Sequence, residues 1–215
     1  MTTAPAAKPR PLGPDLAATA RYILETQHSS GAIPWFQGGI IDPWDHIEAA
    51  MGLASTGYLE AAHAAYAWLQ SMQEPEGGWY VAYDEHEVTD DSRIETNFVA
   101  YIAVGIWHAH LIEQDGVQLA RYWPMVEKAI DFIIQCQGPQ GQIYWAWDST
   151  LGLREDALVT GCSSIFKSLT CAIAIAETLG KAKPKWQRAR QSLRSALLQD
   201  PDAFDRTWEL SLIHI

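Results

Sequence analysis

Hydrophobic residues recur at helical spacing along most of the chain. In three segments, at about 57–73, 117–137 and 183–198, the apolar positions share one face and charged residues occupy the other. This is typical of helices on the outside of a bundle. Three further segments, at about 44–55, 96–112 and 160–179, are apolar nearly all round and rich in small residues. Helices of that kind are enclosed by others, so outer and inner helices alternate along the chain.

The connections alternate in length as well. Links from outer to inner helices are long, covering 28–43, 74–95 and 138–159, and the links back are only a few residues. Because short links make neighbouring helices antiparallel, all long links should meet at one end of the stack. The pattern predicts an all-α fold, an incomplete α/α-hairpin barrel or toroid of about seven helices with the long loops on one face.

A short repeat begins each long link. A helix ends on Gln, a Gly follows after three residues, and aromatic residues come next. The copies start at Gln27, Gln73 and Gln137, with Gly31, Gly77 and Gly141, and lead to Trp35, to Trp79 and Tyr80, and to Tyr144 and Trp145. A degenerate fourth copy covers Gln199 to Phe204. Gly lets the chain leave a helix through positive φ, so the repeat predicts that the aromatic residues collect at the long-link end.

Composition narrows the possible partners. The net charge of −11 argues against binding to nucleic acid or to an anionic membrane. Ten Trp residues are many for 215 residues, and several should line a groove. Cys136, Cys162 and Cys171 lie in apolar helices, which favours buried free thiols and a cytoplasmic protein. Lys167 interrupts the longest apolar run, at 160–176, so no membrane insertion is predicted.

Three segments are predicted from composition along the chain. Residues 1–13 read as a flexible Pro/Ala-rich arm, and 14–209 as one domain. Residues 210–215, Leu-Ser-Leu-Ile-His-Ile, match what one frame of a common sequencing-library adapter would encode. A closed six-hairpin barrel has twelve helices, so the domain is expected to be truncated at its carboxyl end.

The first candidate site segment begins the inner helix after Asp42. Asp42 followed by Pro43 is a typical helix start, with Asp as the cap. Asp45 lies in the first turn, where the helix dipole alone favours an acid, and it is equally a candidate for binding substrate. Trp44 and His46 share this mouth and would either contact a ligand or simply pack.

Two further candidate segments lie in the later long links. Glu95 and Asn97 follow an acidic stretch that reads either as a solvated loop or as one wall of a pocket. Trp145 and Trp147 share one side of an extended segment ahead of Asp148. Indoles beside a carboxyl suit a sugar ring and would raise the pKa of Asp148, as a general acid requires, although a Trp-rich lid with a capping Asp has the same pattern. The candidate catalytic residue is Asp148, and the candidate substrate-binding residues are Trp35, Trp44, Asp45, His46, Tyr80, Glu95, Asn97, Trp145 and Trp147.

No metal site and no cofactor are predicted. His108 and His110 are two residues apart on a helix and point in different directions, so they do not share an ion. The sequence contains no phosphate-binding loop, dinucleotide fingerprint, zinc-protease motif or nucleophile elbow.

In order and spacing, these segments resemble the glucoamylase-like six-hairpin glycosidases from about Gly31 to Trp208. The resemblance is carried by five stretches: Trp44 to Leu53, Gly57 to Ala62, Leu69 to Trp79, Glu95 to Trp107, and Tyr122 to Phe132. It implies inverting hydrolysis of a glycosidic bond, with Asp148 in the position of the family's general acid, which is a Glu. It also implies a substrate-binding acid at Asp45, preceded by Trp44 where the family has Arg. The family's base lies near the end of the barrel, so the chain by itself is expected to be inactive.

Two alternatives remain open at this point. The Gln-x3-Gly-x-aromatic unit is also similar to the repeat of terpenoid cyclases and prenyltransferases, which share the α/α toroid and act on isoprenoids. The nearest match to the cyclase Asp-x-Asp-Asp run, at 88–91, lacks the first Asp, and no Asp, Cys and His set for zinc is visible. A non-catalytic carbohydrate-binding or scaffold protein is the third interpretation.

Overall fold

The computed structural model describes residues 13–206; the predicted arm, except Gly13, and the predicted tail lie outside this range. Seven α-helices run through it: α1 Leu16–Thr26, α2 Pro43–Ser55, α3 Leu59–Ser71, α4 Thr96–Glu113, α5 Gly116–Gln135, α6 Val159–Thr178 and α7 Pro184–Gln199, followed by a 3₁₀ turn at Pro201–Ala203. The five short strands are β1 Ala82–Tyr83, β2 Val88–Asp90, β3 Arg93–Glu95, β4 Ala146–Asp148 and β5 Gly152–Arg154. The predicted all-α architecture is confirmed.

Inner and outer helices alternate as the hydrophobic pattern predicts. The inner helices α2, α4 and α6 pack side by side, and α3, α5 and α7 each pack on the inner helix that precedes them. Gly105 of α4 lies against Ile47 of α2 and Tyr66 of α3, and a Cβ there would come within 2.7 Å of Ile47. Tyr66 donates to the Gly105 carbonyl oxygen. A small residue is therefore required where three helices meet.

The Gln-x3-Gly repeat is a clamp between successive outer helices. In each copy the Gln side-chain amide donates to the carbonyl oxygen of its own Gly and to one carbonyl oxygen on the next outer helix. These second acceptors are Ala61 of α3, Met125 of α5 and Ala189 of α7, at 3.0, 3.0 and 2.9 Å. The three Gly residues have φ of +100°, +105° and +95°, and a Cβ at each would lie 2.2–2.5 Å from a backbone oxygen of that same helix. The repeat therefore fixes the spacing of α1, α3, α5 and α7.

Small antiparallel sheets join the long links to one another. An isolated bridge pairs Ile41 of the first link with Tyr83 of the second, where β1 and β2 form a hairpin. Strands β3, β4 and β5 form one sheet that joins the second link to the third, with Ile94 opposite Trp147. The sequence pattern did not predict these strands. All three long links therefore meet at one end of the helical stack, as expected.

Helix α6 is buried within this stack on much of its surface. Among residues 13–206 it is the one helix long and apolar enough to cross a membrane by length and composition, and half of its most apolar window is buried inside the fold. The core helix of a globular protein has the same properties. Cys162 and Cys171 of α6 and Cys136 at the end of α5 are buried and unpaired, as predicted.

Candidate functional site

A cleft of about 330 Å³ opens at the long-link end, where the start of α2 faces β2, β3 and the first turn of α4. We call it the Asp45 cleft. Its lining residues are Trp35, Ile40, Asp42, Trp44, Asp45, Val81, Ala82, Asp90, Arg93, Glu95 and Phe98.

Asp42 organises the α2 side of the cleft. Its Oδ1 accepts the backbone N–H of Asp45 at 2.9 Å, which confirms the predicted helix cap. Its Oδ2 accepts a short hydrogen bond from the indole N–H of Trp35. Asp42 is buried, whereas 53% of the Trp35 surface stays exposed. The carboxylate is thus fixed in orientation by a backbone donor and an indole that faces the cleft.

Asp45 is the carboxyl whose chemistry is most altered by this environment. It is exposed to the cleft, but partial desolvation raises its pKa to about 6, with further contributions from the charge and hydrogen bonding of Asp42 and from the charge of Glu48. A carboxyl with a pKa near 6 gives up and takes up protons close to neutral pH, which is what general acid or base catalysis requires.

Trp44 forms an aromatic wall beside Asp45. Its indole stacks on Tyr101 with ring centroids 3.8 Å apart and an interplanar angle of 12°, and Phe98 lies 6.2 Å away. The Tyr101 hydroxyl donates to Glu48, which holds the stacked pair against α2. Trp44 is half-buried, so Tyr101 supports one face of the indole while part of the ring stays accessible from the cleft.

His46 does not reach the cleft, and its predicted place at the mouth is corrected. The side chain is fully buried, its Nδ1 accepts the backbone N–H of Ile33, and its Nε2 bonds the Ala65 carbonyl oxygen, both at 3.0 Å. Burial lowers the pKa of His46 to about 4. Both ring nitrogens are occupied by backbone, so His46 connects the first long link to α3 and has no nitrogen left for a ligand.

Arg93 and Glu95 form the opposite wall. Glu95 Oε1 accepts from Arg93 Nε at 2.9 Å and from Arg93 Nη2 at 2.7 Å. The guanidinium lies over the Trp145 ring, with its carbon 5.8 Å from the ring centroid. Thr96 donates its hydroxyl to the carbonyl oxygens of Tyr144 and Trp145, which ties the start of α4 to the third link. Trp145 therefore lies next to the cleft, in contact with the lining residue Arg93.

Asp148 is the last residue of β4 and directly precedes the turn to β5. Its Oδ1 accepts from the Thr150 hydroxyl at 2.7 Å and from the backbone N–H groups of Thr150 and Leu151 at 2.9 Å, and its Oδ2 is 3.6 Å from Arg154. These bonds lower the pKa of Asp148 to about 2. The predicted rise in pKa is therefore wrong. Because turn donors already hold the carboxylate, the electrostatic reason for choosing it as the general acid is removed, and its position in the resemblance is the reason that stays.

The remaining candidate residues lie in different parts of the fold. Trp147 is 45% exposed on the three-stranded sheet, while Ala146 beside it is fully buried. Tyr80 is half-buried and packs against the core, with its backbone N–H donating to the Tyr83 hydroxyl. Asn97 is half-buried beside Gly161 of α6. The cleft lining thus brings together Trp35, Trp44, Asp45 and Glu95, and it does not include Tyr80, Asn97, Trp147 or Asp148.

Sequence reasoning missed Arg93, Asp90 and Phe98 as cleft residues. For Arg93 there was a signal, because it is the only Lys or Arg between Arg21 and Arg121. A lone cation within an acidic loop, two residues from a candidate Glu, indicates an ion pair at that site.

Known proteins similar to this chain include several glycoside hydrolases. The chain is 46% identical over 186 residues to the MMP endo-(1,4)-3-O-methyl-alpha-D-mannosidase of Mycolicibacterium hassiacum, covering 86% of this chain and 51% of that protein. It therefore spans about half the length of this curated relative. No protein-family model matches the chain.

Solved structures agree at the level of the fold. An alpha-amylase from Clostridium perfringens superposes with a TM-score of 0.65 at 10% identity, over 87% of this chain and 55% of that one. A family 76 glycoside hydrolase (mannosidase) from Bacteroides thetaiotaomicron gives 0.57 at 13% identity, over 77% and 47%. None of these relatives supports the terpenoid cyclase or prenyltransferase alternative. The resemblance to the six-hairpin glycosidases is confirmed, and the chain is glycosidase-like in sequence and in its α/α-hairpin fold.

Proposed function

We propose that this chain carries the saccharide-binding end of a glycoside hydrolase that cleaves α-(1→4)-linked 3-O-methylmannose units. The observation that carries the proposal is the Asp45 carboxyl, with its raised pKa, in a cleft lined by Trp35 and Trp44. The curated mannosidase relative supplies the substrate class.

Asp45 is suited to protonate a departing sugar oxygen. At a pH near 6 about half of the Asp45 carboxyls hold a proton, and a positioned acid is most effective when its pKa lies near the working pH. Asp42 supports this state, because its nearby charge disfavours a second carboxylate and its two hydrogen bonds keep it in place. We therefore assign to Asp45 the acid role that the resemblance gave to Asp148.

The indoles supply the apolar surface that a sugar ring needs. Trp35 is largely exposed beside Asp42, and Trp44 is backed by Tyr101. Stacking on aromatic faces and hydrogen bonds to carboxylates act on different parts of the same ring, the C–H faces and the hydroxyls. Both kinds of contact are available within the Asp45 cleft.

Inverting hydrolysis stays a prediction. It needs a second carboxylate on the other side of the bond, roughly 6.5–9.5 Å from the acid, with a water between them. The resemblance assigns that base to a part of the barrel beyond these hairpins. We expect the chain alone to bind the saccharide without releasing sugar.

Binding and hydrolysis are tested separately. Isothermal titration with an α-(1→4)-linked 3-O-methylmannose tetrasaccharide should show binding, and Trp35→Ala should weaken it by about tenfold, the equivalent of about 1.4 kcal/mol. Hydrolysis is measured as released reducing ends in a chimera that joins this chain to the part of the Mycolicibacterium hassiacum mannosidase that this chain does not match. Asp45→Asn should abolish release there, and Asp148→Asn should leave most of it.

Three outcomes contradict the proposal in different ways. If the tetrasaccharide does not bind, the saccharide site is refuted. If Asp148→Asn abolishes release and Asp45→Asn does not, the assignment of the acid is wrong. If an active chimera is never obtained but binding stands, the chain is better described as a carbohydrate-binding protein.

We also propose a cytoplasmic location without a nucleic-acid partner. The support is three unpaired buried thiols and the net charge of −11. Fractionation of the host cell tests the location, and recovery of the protein with the membrane or extracellular fraction would contradict it.

A further inference from the structure

Arg93 stands out by its charge within the Asp45 cleft. Among the lining residues it is the single Lys or Arg, whereas Asp42, Asp45, Asp90 and Glu95 are acidic. Arg93 and Glu95 are two apart on β3, so their side chains share one face of the strand. Ile94 between them is buried on the other face. The strand therefore presents one cation and one anion together to the cleft.

The two side chains are joined in a way that leaves part of each unused. Arg93 Nε and Nη2 both donate to Glu95 Oε1, and no hydrogen bond from residues 13–206 reaches Glu95 Oε2. A guanidinium has five N–H donors. Within residues 13–206, the one further hydrogen bond of the Arg93 side chain is a long one of 3.5 Å from Nη1 to the Ser92 hydroxyl. Donors on Arg93 and an acceptor on Glu95 therefore remain side by side.

Packing fixes the orientation of this pair. The guanidinium plane lies over the Trp145 ring, and the side chain of Glu95 is only 17% exposed. A charged group held in place loses little freedom when a ligand arrives, which favours binding. The pair is thus a preformed donor and acceptor rather than two mobile surface charges.

We propose that Arg93 and Glu95 bind two adjacent oxygen atoms of one glycosyl unit, with Glu95 Oε2 accepting from a hydroxyl and Arg93 donating to the neighbouring oxygen. This rests on the proposed function. The oxygen that faces Glu95 must carry a proton, because a carboxylate only accepts. The oxygen that faces Arg93 needs no proton, so an ether oxygen binds there as well as a hydroxyl.

This asymmetry matches the chemistry of a 3-O-methylated mannose unit. When such a unit is linked through carbons 1 and 4, the hydroxyl that remains next to the methyl ether is the one on carbon 2. We assign the carbon-2 hydroxyl to Glu95 and the ether oxygen on carbon 3 to Arg93. Two carboxylates at this place would instead repel the ether oxygen, since neither partner could donate.

If the Arg93–Glu95 pair were only structural, the variants would behave differently in binding. An exposed Arg–Glu pair contributes about 0–1 kcal/mol to stability and has no effect on which sugar oxygen may be methylated. Arg154 and Asp148 provide the matched control, because they form an Arg–Asp pair in the same three-stranded sheet outside the cleft lining.

The test uses the whole chain, labelled with ¹⁵N, and two probes. These are methyl 3,4-di-O-methyl-α-D-mannopyranoside, in which a methyl ether stands for the linkage at carbon 4, and its 2,3,4-tri-O-methyl counterpart, which lacks the carbon-2 hydroxyl. We expect the wild type to bind the first at least about tenfold more tightly, as a lost hydrogen bond to a charged group implies. The Arg93 Nε–Hε resonance should shift on titration with the first probe.

Variants of Glu95 and Arg93 test the two proposed contacts one at a time. Glu95→Ala should abolish the preference between the probes, and Arg93→Gln should weaken both by about tenfold while keeping the preference. Arg154→Gln should change neither, and circular dichroism confirms that each variant is folded.

The outcomes distinguish the two proposals. Equal binding of both probes by the wild type, or equal losses in Arg93→Gln and Arg154→Gln, would overturn the Arg93–Glu95 assignment alone. Absence of binding to either probe and to the tetrasaccharide would overturn the proposed function together with it.

Discussion

The Gln137 clamp is the contact in this fold whose contribution can be measured most directly. Its side-chain amide donates to the carbonyl oxygens of Gly141 and Ala189, each at 2.9 Å. In Gln137→Leu the Gly141 oxygen loses its donor within a half-buried junction, whereas the Ala189 oxygen keeps its helical bond within α7. An acceptor left unpaired on burial costs about 1–3 kcal/mol. Counting this cost once, we expect the free energy of unfolding to fall by about 1–3 kcal/mol.

Gln137→Glu tests the same contact by charge. The carboxylate cannot donate and lies beside two carbonyl oxygens, so at neutral pH the loss should exceed that of Gln137→Leu. At pH 4 a protonated Glu can donate one hydrogen bond, and the difference should narrow.

Gln135 provides the matched control two residues earlier. It is exposed, and its amide donates only to the Asp131 carbonyl oxygen within the same helix. Gln135→Leu should therefore change the free energy of unfolding by no more than about 0.5 kcal/mol. Urea denaturation followed by Trp fluorescence and by far-ultraviolet circular dichroism measures both variants. If Gln137→Leu is as mild as Gln135→Leu at an unchanged m value, the clamp does not hold α7 and the reasoning fails.

Three further predictions concern single positions. Gly77→Ala should lower the free energy of unfolding by about 2–5 kcal/mol, because it combines positive φ with a Cβ 2.4 Å from the Lys128 carbonyl oxygen. Gly57 also has positive φ but open space around it, so Gly57→Ala should lower the free energy of unfolding by only about 1–2 kcal/mol. The denaturation midpoints of the two variants test this difference. The Asp45 carboxyl should titrate near pH 6 in a ¹³C spectrum. Because its pKa is raised, the contribution of Asp45 to stability is lost as pH rises from about 4 to about 6, and Asp45→Asn should remove that pH dependence. His46 has a lowered pKa, so stability should fall by about 2–4 kcal/mol as pH drops from 6.5 to 4, and acid denaturation of His46→Gln should lack this loss. Because the two contributions have opposite signs over the same pH range, each is read as the difference in stability between the wild type and its variant, and a difference that does not change with pH would contradict that prediction.

The helical architecture could be predicted because its signals are local. Apolar periodicity separates outer from inner helices, and link lengths decide which helix ends meet. The strands could not be predicted this way, because β3 and β4 have three residues each and pair across about 50 positions of sequence. Strands of three residues are too short to show an alternating pattern, and their pairing depends on where α3 and α5 end.

The candidate site shows the same limit at the level of single side chains. Asp45 and His46 are neighbours, and their roles differ because α2 turns its Ile47 and Ala50 side toward the core and carries Asp45 on the other. Helical periodicity could have separated them. Asp148 was different, since its pKa depends on donors of its own turn at Thr150 and Leu151, which a list of residue types does not reveal.

The first two long links use their two ends for different purposes. The first residues form the clamp, at Gln27 to Gly31 and at Gln73 to Gly77, and these bind the outer helices to one another. The last residues begin the next inner helix and carry the cleft groups, Asp45 in the first link and Glu95 in the second. The clamp fixes the point at which a link leaves its outer helix, and the helix start fixes the point at which the link ends. The number of residues between these two points can therefore vary without moving the clamp or the inner helix. Loss of a clamp should therefore lower stability while the pKa of Asp45 stays near 6, and a clamp variant that shifted the Asp45 titration would show that the two ends are coupled.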